Sequence, residues 1–531
     1  MLTKLIDDTL LVVTLLSSQL VTITVNPEPT TNGPTYYVDF ASGNDGNSGT
    51  STTAPWKHAP GDINATGAAN ITLHPGDTVV FKGGVVYQGT NTSQSGSRAV
   101  VAPNNSGSSG NPIALISGHV HSSAWGTGRA VLDGRGPGTD AAKFGVYVGS
   151  RNYITIEGLE IRNIGVPTVN AAGIDYERGT NAIVRNCVIH NINWSGSYVR
   201  GYGIENNDGA NHLYEKNEVY NATDKLIETF GGGSATPGTD DASNAVIRYN
   251  VLHNASVHCV VLSSDNARFY DNVIWQCNDG TISNSPGPGF ALKVDQGRNN
   301  TIFNNIAYNV NAGFGVLVGT GNLFAHNIVY GIGRNGGGTH GGNDEAALVF
   351  YNNDGSWGTG SGALSSNKFY NNIVYYVPNA DAVDKPKLVF HDASGGSNNE
   401  VKNNIFLAIS GDTSTTGTRI RVYTGRTSNY GNSYYSVSDW QSQFNTLMSG
   451  TGNVASGNLV VDPAFVGGTL GSLTNMPTGF TVTYGDVNTS AFHLSSGSPA
   501  ETTGVTISGP ANIDLCGNIR SAFWLGTYDS R

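Results

Sequence analysis

The chain has 531 residues, with 28 Lys and Arg against 39 Asp and Glu, and a formal net charge of −11. This length exceeds the roughly 250–300 residues of a single compact core, so it predicts several domains or a repeat. An acidic balance without a Lys/Arg cluster argues against binding to nucleic acid, and 71 glycines with only 13% charged residues favour β structure over helical enzyme classes.

An apolar segment lies near the N-terminus, between Leu10 and Val25. Apolar residues recur there at the spacing of a helix face, at Ile6, Leu10, Val13, Leu16 and Leu20. Because so short a stripe needs a partner, it predicts a segment that packs within an assembly. Two acidic residues just before the run disfavour a secretory signal peptide, which stays open as the alternative. Polar residues within the run argue against a membrane span.

A short phrase recurs from residue 150 onward, in which an Asn precedes two or three apolar residues. It occurs at Asn186, Asn217, Asn250, Asn272, Asn305, Asn327, Asn372 and Asn404. The short spacings from Asn250 to Asn272 and from Asn305 to Asn327, with longer spacings elsewhere, are typical of a solenoid with loops inserted on some coils. We interpret these Asn residues as scaffold, in turns of left-handed conformation with stacked amides. No stretch beyond residue 150 has the length and period of a surface helix.

The strands of this repeat are brief and apolar, as in ITIEGLEI, AIVRNCVI and ARFYDNVI. One coil cannot bury its inward residues, whereas stacked coils form a continuous core. The pattern therefore predicts an all-β chain folded as a parallel β-helix.

Four cysteines are scattered along the chain, at Cys187, Cys259, Cys277 and Cys516. Their spacing does not indicate a disulfide framework, and no CxxC pair suggests a zinc site. We interpret them as buried free thiols in the β core.

Both ends of the main body resemble a known family. YYVDFASGNDGNSGTSTTAPWKHA (36–59) and HPGDTVVFKGGVVYQG (74–89) resemble the N-terminal cap and first coil of right-handed parallel β-helix proteins of the pectate-lyase-like superfamily. VDPAFVGG (461–468) and AFHLSSGSPA (491–500) resemble its closing segment, and NIDLCGNIR (512–520) resembles a phrase that often follows it. The resemblance implies a fold more than a function, since the superfamily includes polysaccharide lyases, glycoside hydrolases, phage tailspikes and non-catalytic surface proteins.

The resemblance covers roughly residues 35–525, after a Pro-rich linker. We assign the chain to four parts: 1–34, an apolar assembly segment with the linker; 35–150, the N-terminal cap and first coils; 151–410, central coils with inserted loops; and 411–531, C-terminal coils and the closing segment. Because tailspikes of this fold are generally trimeric, the resemblance implies a homotrimer or attachment to a virion. We expect an extracellular or virion-surface protein with no stable membrane span.

Inserted loops gather on one side of a solenoid and form a wall or cleft there. Several aromatic residues lie in or beside the predicted loops, namely Trp194, Tyr198, Tyr202, Phe230 and Trp357. Aromatic faces stack on the C–H faces of sugar rings, so these residues predict a bound polysaccharide. The structural alternative is that they cover the edge of the core.

Lys293 lies in the segment GPGFALKVDQGRNN. If Phe290, Leu292 and Val294 alternate inward, Lys293 points outward from the same strand. Val260 and Gly315 on the adjacent coils would leave a small clearing beside it.

Elimination from a uronic acid needs a base and a group that offsets the developing charge. Some lyases of this fold use a Lys base with calcium bound by acidic residues, and the Gly-Phe-x-x-Lys setting of Lys293 is similar to theirs. The resemblance implies Lys293 as the base, Asp295 and Arg298 beside it, and Ca²⁺ bound by Asp240 and Asp241. The alternative is an exposed Lys–Asp pair on a solvated strand.

Hydrolysis would instead need two carboxylates about 5–10 Å apart. Outward acids on successive coils meet this requirement, because coils stack at about 4.8 Å. Glu205 and Asp208 follow the GYG sequence, and further acids come one coil earlier or later, at Asp175, Glu177, Glu228 and Asp265. Many pairs qualify, so the pattern does not choose between them.

The sequence thus leaves two classes of function. The first is a carbohydrate-active enzyme, either a tailspike-like depolymerase or a secreted lyase or hydrolase. The second is a non-catalytic fibre, spike or adhesin whose solenoid is a stiff binding surface.

Overall fold

A computed structural model describes the chain in the following ranges: 12–14, 20–22, 32–88, 99–195, 198–231, 242–278, 289–332, 346–351, 364–376, 388–392, 396–408, 420–424, 433–435, 440–465, 481–483, 486–488, 492–501, 504 and 507. Across these ranges the chain winds into a parallel β-helix in which each regular coil gives one strand to each of three sheets. The predicted all-β solenoid is confirmed.

The first sheet has 13 strands. In order these are Thr35–Val38, Thr78–Phe81, Ile113–Ser117, Ile154–Glu157, Ile183–Arg185, Leu213–Glu215, Val246–Arg248, Arg268–Tyr270, Thr301–Phe303, Leu323–Ala325, Lys368–Tyr370, Glu400–Lys402 and Val454–Ser456. All of its neighbouring strands pair in parallel.

The second sheet has 11 strands. These are Val86–Gln88, Val131–Asp133, Glu160–Ile164, Val188–Ile192, Glu218–Ala222, Val251–Ala255, Val273–Cys277, Ile306–Val310, Ile328–Ile332, Ile373–Tyr376 and Ile405–Ala408.

The third sheet has 12 strands. These are Ala99–Val101, Phe144–Gly149, Ala171–Glu177, Gly201–Asn207, Lys225–Phe230, His258–Ser263, Phe290–Asp295, Ala312–Leu317, Leu348–Tyr351, Leu388–Asp392, Ile420–Thr424 and Ser433–Tyr435. The last of them pairs antiparallel to its neighbour.

Small elements complete the described structure. Two further two-stranded pairs join Gly319–Thr320 to Leu364–Ser365 and Thr481–Thr483 to Asp486–Asn488, and short 3₁₀ turns occur at Gly67–Ala69 and Pro499–Glu501. An α-helix, Trp440–Leu447, packs Phe444 and Met448 against the C-terminal end of the core. The expectation of no helix after residue 150 is therefore wrong at this one site, where the helix covers the last coils. No helix of the described residues is long and apolar enough to cross a bilayer.

A buried ladder of Asn side chains runs up the turn between the first and second sheets. From Asn250 onward, each amide oxygen accepts both the backbone N–H and the side-chain Nδ2 of the ladder Asn one coil before it, as Asn305 does for Asn272 at 3.0 Å. The ladder consists of Asn217, Asn250, Asn272, Asn305, Asn327, Asn372, Asn404 and Asn458. The scaffold interpretation of the recurrent Asn is confirmed.

The left-handed residue is the one before the ladder Asn, not the ladder Asn itself. Asp271 and Asn304 have φ of 57°, directly ahead of Asn272 and Asn305. Asn186 has this conformation itself, with φ of 55°, and Cys187 occupies the ladder position, where its N–H donates to Asn217 Oδ1 at 3.0 Å. The sequence pattern therefore identifies Asn186 as a ladder residue wrongly, one residue before the true ladder position.

The interpretation of the cysteines as free thiols is wrong for one pair. Cys259 and Cys277 form a disulfide between the third-sheet strand of one coil and the second-sheet strand of the next. Cys187 is free and buried, whereas Cys516 lies outside the described residues.

The helix face expected near the N-terminus is also wrong where the structure describes it. Val12–Thr14 and Leu20–Thr22 are strands that pair antiparallel, so Val13 and Leu20 belong to a hairpin. Apolar runs rich in Val and Thr fit a strand better than a helix. Ile6, Leu10 and Leu16 lie outside the described residues.

The ladder predicts that Asn305→Ala destabilises the protein far more than an equally small change at an exposed Asn. The substitution removes the acceptor for Asn272 and leaves buried polar groups unpaired, which costs roughly 3 kcal/mol or more. Asn70→Ala is the control, because Asn70 is exposed and its loss costs about 0.5 kcal/mol at most. Urea denaturation of both variants measures the difference, and equal midpoints would contradict a stabilising ladder.

The disulfide predicts that the double variant Cys259→Ala/Cys277→Ala unfolds at lower urea concentration. Loss of a cross-link that closes a loop of this size costs about 3 kcal/mol. A reductant should move the wild-type midpoint to that of the variant and leave the variant unchanged. A wild-type midpoint that ignores the reductant, with both thiols found free by mass spectrometry, would show that the bond does not form.

Candidate functional site

The outward face of the third sheet carries a row of polar side chains from successive coils. In the parallel register Asp175 pairs with Glu205, and Glu205 with Glu228. Glu228 then pairs with Val261, and Val261 with Lys293. Neighbouring strands lie about 4.8 Å apart, so three carboxyl groups stack at that spacing. We call Asp175, Glu205 and Glu228 the carboxylate row.

Side chains at the start of the strand Lys225–Phe230 add a second group to this face. Leu226 and Ile227 both pack into the core, so strict alternation breaks there and Lys225 turns outward beside Glu228. Lys225 Nζ lies 2.9 Å from Glu228 Oε1 and 3.4 Å from Asp224 Oδ2. Lys225 also lies 5.1 Å from the centre of the Tyr202 ring.

Two members of the row, Asp175 and Glu205, have raised pKa values. Burial first, and then the charges of Glu205 and Glu177, raise the pKa of Asp175 to about 8. Burial and the charge of Glu228 raise the pKa of Glu205 to about 7, although a hydrogen bond from Asn207 acts to lower it. Asp175 and Glu205 also share a hydrogen bond. Like charges this close cannot both ionise easily, so the pair keeps a proton between them.

The third member of the row differs in its partner. Burial raises the pKa of Glu228, but Lys225 opposes this effect through its charge and its hydrogen bond. Asp175 is 3% exposed, and its Oδ1 has no hydrogen-bond partner. A buried acceptor without a partner is costly and marks this end of the row as a place where a ligand could donate a hydrogen bond.

Apolar clusters bound this polar stretch on both sides. Toward the N-terminal coils, the rings of Phe144, Tyr147 and Tyr202 pack with alanines. Toward the C-terminal coils, Phe290 and Val349 lead a second cluster. The carboxylate row and Lys293 thus occupy the polar interval between two apolar patches of the same face.

A loop after the second-sheet strand Val188–Ile192 brings more side chains to the row. Asn193 Nδ2 donates to the Arg200 carbonyl at 2.8 Å, which holds the end of the loop. Arg200 Nε then lies 3.7 Å from Asp224 Oδ2, and Tyr198 bonds to Arg200. Burial and the charge of Asp224 raise the pKa of Tyr198 to about 12.

The structure brings several of the predicted site residues together. Glu205, Tyr198 and Tyr202 lie at the row or beside its Lys225–Asp224 pair. Lys293 Nζ lies 2.9 Å from Asp295 Oδ2 on the same face. Phe230 pairs in register with Asn207 and is 38% exposed, so its ring faces solvent two residues beyond Glu228.

The predicted clearing beside Lys293 is wrong. Phe290 does not point inward, because its ring packs on the outer face, and a Cβ on Gly315 would lie 2.6 Å from Phe290 Cε1. Val261, not Val260, is the neighbour of Lys293 on the earlier coil. Phe290 faces outward because Ala291 and Leu292 both pack into the core, which shifts the alternation by one residue. Val261 takes the place of Val260 because 11 residues separate Val261 from Asn272, against 12 from Lys293 to Asn305. Gly315 is the neighbour of Lys293 on the later coil, as predicted.

Other predicted residues lie away from the row. Asp208 is in the turn after its strand, with φ of 61° and its Oδ2 at 3.7 Å from Arg178 Nε. The backbone N–H of Arg298 donates to Asp265 Oδ1 at 2.8 Å in the following turn. Trp194 is half-buried in the loop that leads to Tyr198.

Trp357, Asp240 and Asp241 lie outside the described residues, and with them the calcium site predicted from the resemblance. Within the described ranges, no three His, Cys, Asp or Glu side chains are grouped so as to hold a metal ion.

The sequence named the members of the row among many acids but did not single them out. A usable signal was present, because each follows an Ile in its strand: Ile174–Asp175, Ile204–Glu205 and Ile227–Glu228. In each dipeptide the Ile packs into the core and the acid faces outward.

Comparison with known proteins supports the fold. A family model described as "Right handed beta helix region" matches residues 138–285. The GH136 lacto-N-biosidase from Eubacterium ramulus aligns with a TM-score of 0.50 and 16% identity, over 74% of this chain and 67% of that chain. Pectate lyase Pel9A aligns with a TM-score of 0.47 and 18% identity, over 92% of this chain and 97% of that chain.

A PL6 family polysaccharide lyase, Pedsa3628 from Pseudopedobacter saltans, aligns with a TM-score of 0.42 and 13% identity, over 79% of this chain and 96% of that chain. No curated protein matches the chain. At these identities the likeness concerns the fold alone. The chain is a right-handed parallel β-helix, the fold that its resemblance to the pectate-lyase-like superfamily implies.

The raised pKa values predict a specific pH dependence of stability. Between the ordinary carboxyl values near 4 and the value of about 8 for Asp175, the folded protein holds more protons than the unfolded chain. Stability therefore falls as pH rises through this window. Asp175→Asn removes the cost of ionising this buried group and should stabilise the protein at pH 8 by roughly 1–3 kcal/mol, with a smaller gain near pH 4.

Urea midpoints across this pH range measure the effect. Asp462→Asn is the matched control, because it removes an exposed carboxylate and should leave the wild-type slope unchanged. Parallel pH curves for the wild type and Asp175→Asn would contradict the assignment of raised pKa values to this pair.

Proposed function

We propose that this right-handed parallel β-helix binds an extended polysaccharide across the outward face of the third sheet and cleaves its glycosidic bonds at the carboxylate row. The observation that carries the proposal is the hydrogen-bonded Asp175–Glu205 pair, whose burial keeps a proton available near neutral pH. Glycoside cleavage needs a protonated carboxyl group for the leaving oxygen and a second carboxylate beside the sugar ring.

The row supplies both groups. Glu205 shares the proton and is the general acid, with Asp175 returning the proton to it through their hydrogen bond. Glu228 pairs with Lys225 at 2.9 Å, which favours its ionised form, so it is the carboxylate that meets the developing positive charge. One strand spacing of about 4.8 Å separates their backbones, close to the roughly 5–5.5 Å between carboxyl groups of retaining enzymes.

Aromatic groups at both sides of the row support binding of a sugar chain. Phe230 presents its ring to solvent, whereas the Tyr202 ring is buried, 5.1 Å from Lys225 Nζ, and supports the floor of the face. Tyr198 and the half-buried Trp194 come from the adjoining loop, and Trp357 belongs to an inserted segment by sequence. Stacking of C–H faces on such rings is the usual way in which proteins hold sugars.

The disulfide supports an extracellular location. Disulfides persist in secreted and surface proteins and are rare in reducing compartments. A tailspike-like depolymerase on a virion surface, as a homotrimer, is the finer proposal that follows from the resemblance to that superfamily. The molar mass of the full chain by light scattering tests the trimer directly.

A polysaccharide lyase is the second enzymatic candidate. Lys293, with Asp295 at 2.9 Å, lies on the same face, two strands from Glu228. In that case Lys293 would take the C5 proton of a uronate, with Arg298 and calcium at Asp240 and Asp241 as the remaining proposed groups. A non-catalytic fibre or adhesin would use the same face for binding alone.

Cleavage assays on neutral and acidic polysaccharides test the proposal. Glu205→Gln should lower kcat by roughly a hundredfold or more, the usual contribution of a general acid. Wild-type activity should fall on the alkaline side, around the pKa of about 7 for Glu205 and about 8 for Asp175. Asp462→Asn, far along the chain in the closing segment, serves as the control and should keep full activity.

The products distinguish the candidates. New reducing ends of retained anomeric configuration, seen by NMR, would support hydrolysis at the row. An unsaturated product with ultraviolet absorbance, lost in Lys293→Ala but not in Glu205→Gln, would favour the lyase. Glycan binding with no product on any substrate would favour the adhesin.

A further inference from the structure

We propose that this site takes a neutral glycan and rejects uronate-rich or sulfated chains, an inference that rests on the proposed function. It concerns the charges of the outward face of the third sheet. Among the side chains that the structure describes around the row, the basic groups are Lys143, Arg200, Lys225 and Lys293, and the carboxyl groups are Asp175, Glu177, Glu205, Asp224, Glu228 and Asp295.

Three of the four cations are already engaged with carboxylates of the protein. Lys225 lies 2.9 Å from Glu228 and 3.4 Å from Asp224. Lys293 lies 2.9 Å from Asp295, and Arg200 lies 3.7 Å from Asp224. An anionic sugar could recruit Lys225 or Lys293 only by displacing a carboxylate that is itself buried or half-buried. The side chain of Arg200 is 57% exposed and is held less tightly.

The fourth cation lies on the N-terminal side of the row, and the histidine of this face carries no charge. Lys143 lies 4.6 Å from the centre of the Phe144 ring, at the N-terminal side of the row. His258 is in register with Lys225, and burial lowers its pKa well below its ordinary value. It is therefore neutral and adds no positive charge between the two lysines.

The carboxyl groups outnumber the cations even if the Asp175–Glu205 pair keeps one proton. A uronate or sulfate placed here would add a negative charge to a desolvated face that already disfavours ionisation of its own acids. It would also raise the pKa of the pair further, which would cost binding free energy at neutral pH.

Neutral hydroxyl groups match what the face offers. Carboxylate oxygens accept hydrogen bonds from sugar hydroxyls, and Asp175 Oδ1 is a buried acceptor that has no partner within the protein. The exposed ring of Phe230 gives an apolar surface for a sugar C–H face. A carboxylate on the sugar would form no favourable contact with these acceptors or with the Phe230 ring.

Lys293 fits this interpretation as a structural cation. Its Nζ lies 2.9 Å from Asp295 Oδ2 and is engaged in that ion pair. Its charge instead lowers the pKa of Glu228 from two strands away, which helps to keep that carboxylate ionised.

A glycan array with full-length protein tests the inference through binding, which does not depend on turnover. The Glu205→Gln variant is used so that ligands survive, and each acidic polysaccharide is spotted beside its carboxyl-reduced, neutral derivative. We expect the neutral member of a recognised pair to bind roughly tenfold more tightly or better, since an unpaired buried charge costs at least that much. The affinity for the neutral glycan should not change with salt concentration.

A charge variant sharpens the test. Asp295→Asn frees Lys293, so the ratio of acidic to neutral binding should rise by roughly tenfold. Asp462→Asn removes a remote carboxylate and should leave the ratio unchanged. If both variants behave alike, the ion pair does not set the preference and the inference fails.

The outcomes separate this inference from the proposed function. Tighter, salt-sensitive binding of acidic chains would overturn the neutral preference while leaving cleavage possible. Neutral binding by a wild type that cleaves nothing would keep the preference and overturn the catalytic proposal. Binding to neither class would overturn both, because the face would then not be a glycan site.

Discussion

The stacking of buried Asn amides is the interaction on which the rest of this molecule depends. From Asn250 to Asn458, each ladder Asn accepts two hydrogen bonds from the previous coil, so these coils are locked to one another at the same residue, as at Asn272 and Asn305. In a strand, a slip of one residue would turn every side chain to the opposite face. The ladder therefore also fixes the row of Asp175, Glu205 and Glu228 on the far side of the coil, although it touches none of them.

This dependence explains what the sequence could and could not predict. The recurrent Asn and the apolar strands determine the solenoid, because stacking is the only way to bury them. The exact ladder position was harder to predict for one coil. Cys187 replaces Asn there, and the recurrent phrase matches at Asn186, one residue before the ladder position. Simple inward–outward alternation predicts the wrong orientation for Phe290, because the next two residues of its strand, Ala291 and Leu292, both pack into the core. The Cys259–Cys277 disulfide joins two different coils. The sequence does not show that these residues are close, because loops of unequal length obscure which residues of successive coils pair.

The candidate site combines this rigidity with a local electrostatic cost. Stacked carboxylates repel one another, and burial raises the pKa of both Asp175 and Glu205. A face built for stability alone would avoid that arrangement. Backbone hydrogen bonds between the strands hold the carboxylates at this spacing despite their repulsion. The repulsion is therefore relieved by protonation instead of by movement. That is how a rigid scaffold keeps a carboxylic acid available at neutral pH.

The first sheet shows that the same fold can stack charges without conflict. On its outer face, Glu157, Arg185, Glu215 and Arg248 follow one another in register, and the signs alternate. Arg185 lies 2.8 Å from Glu157, and Arg248 lies 2.7 Å from Glu215. Both faces have identical strand spacing and comparable burial, so geometry does not force like charges together on the third sheet. Since alternation is available one face away, strand packing alone does not account for the uninterrupted carboxylates there, and the proposed catalytic role would account for them.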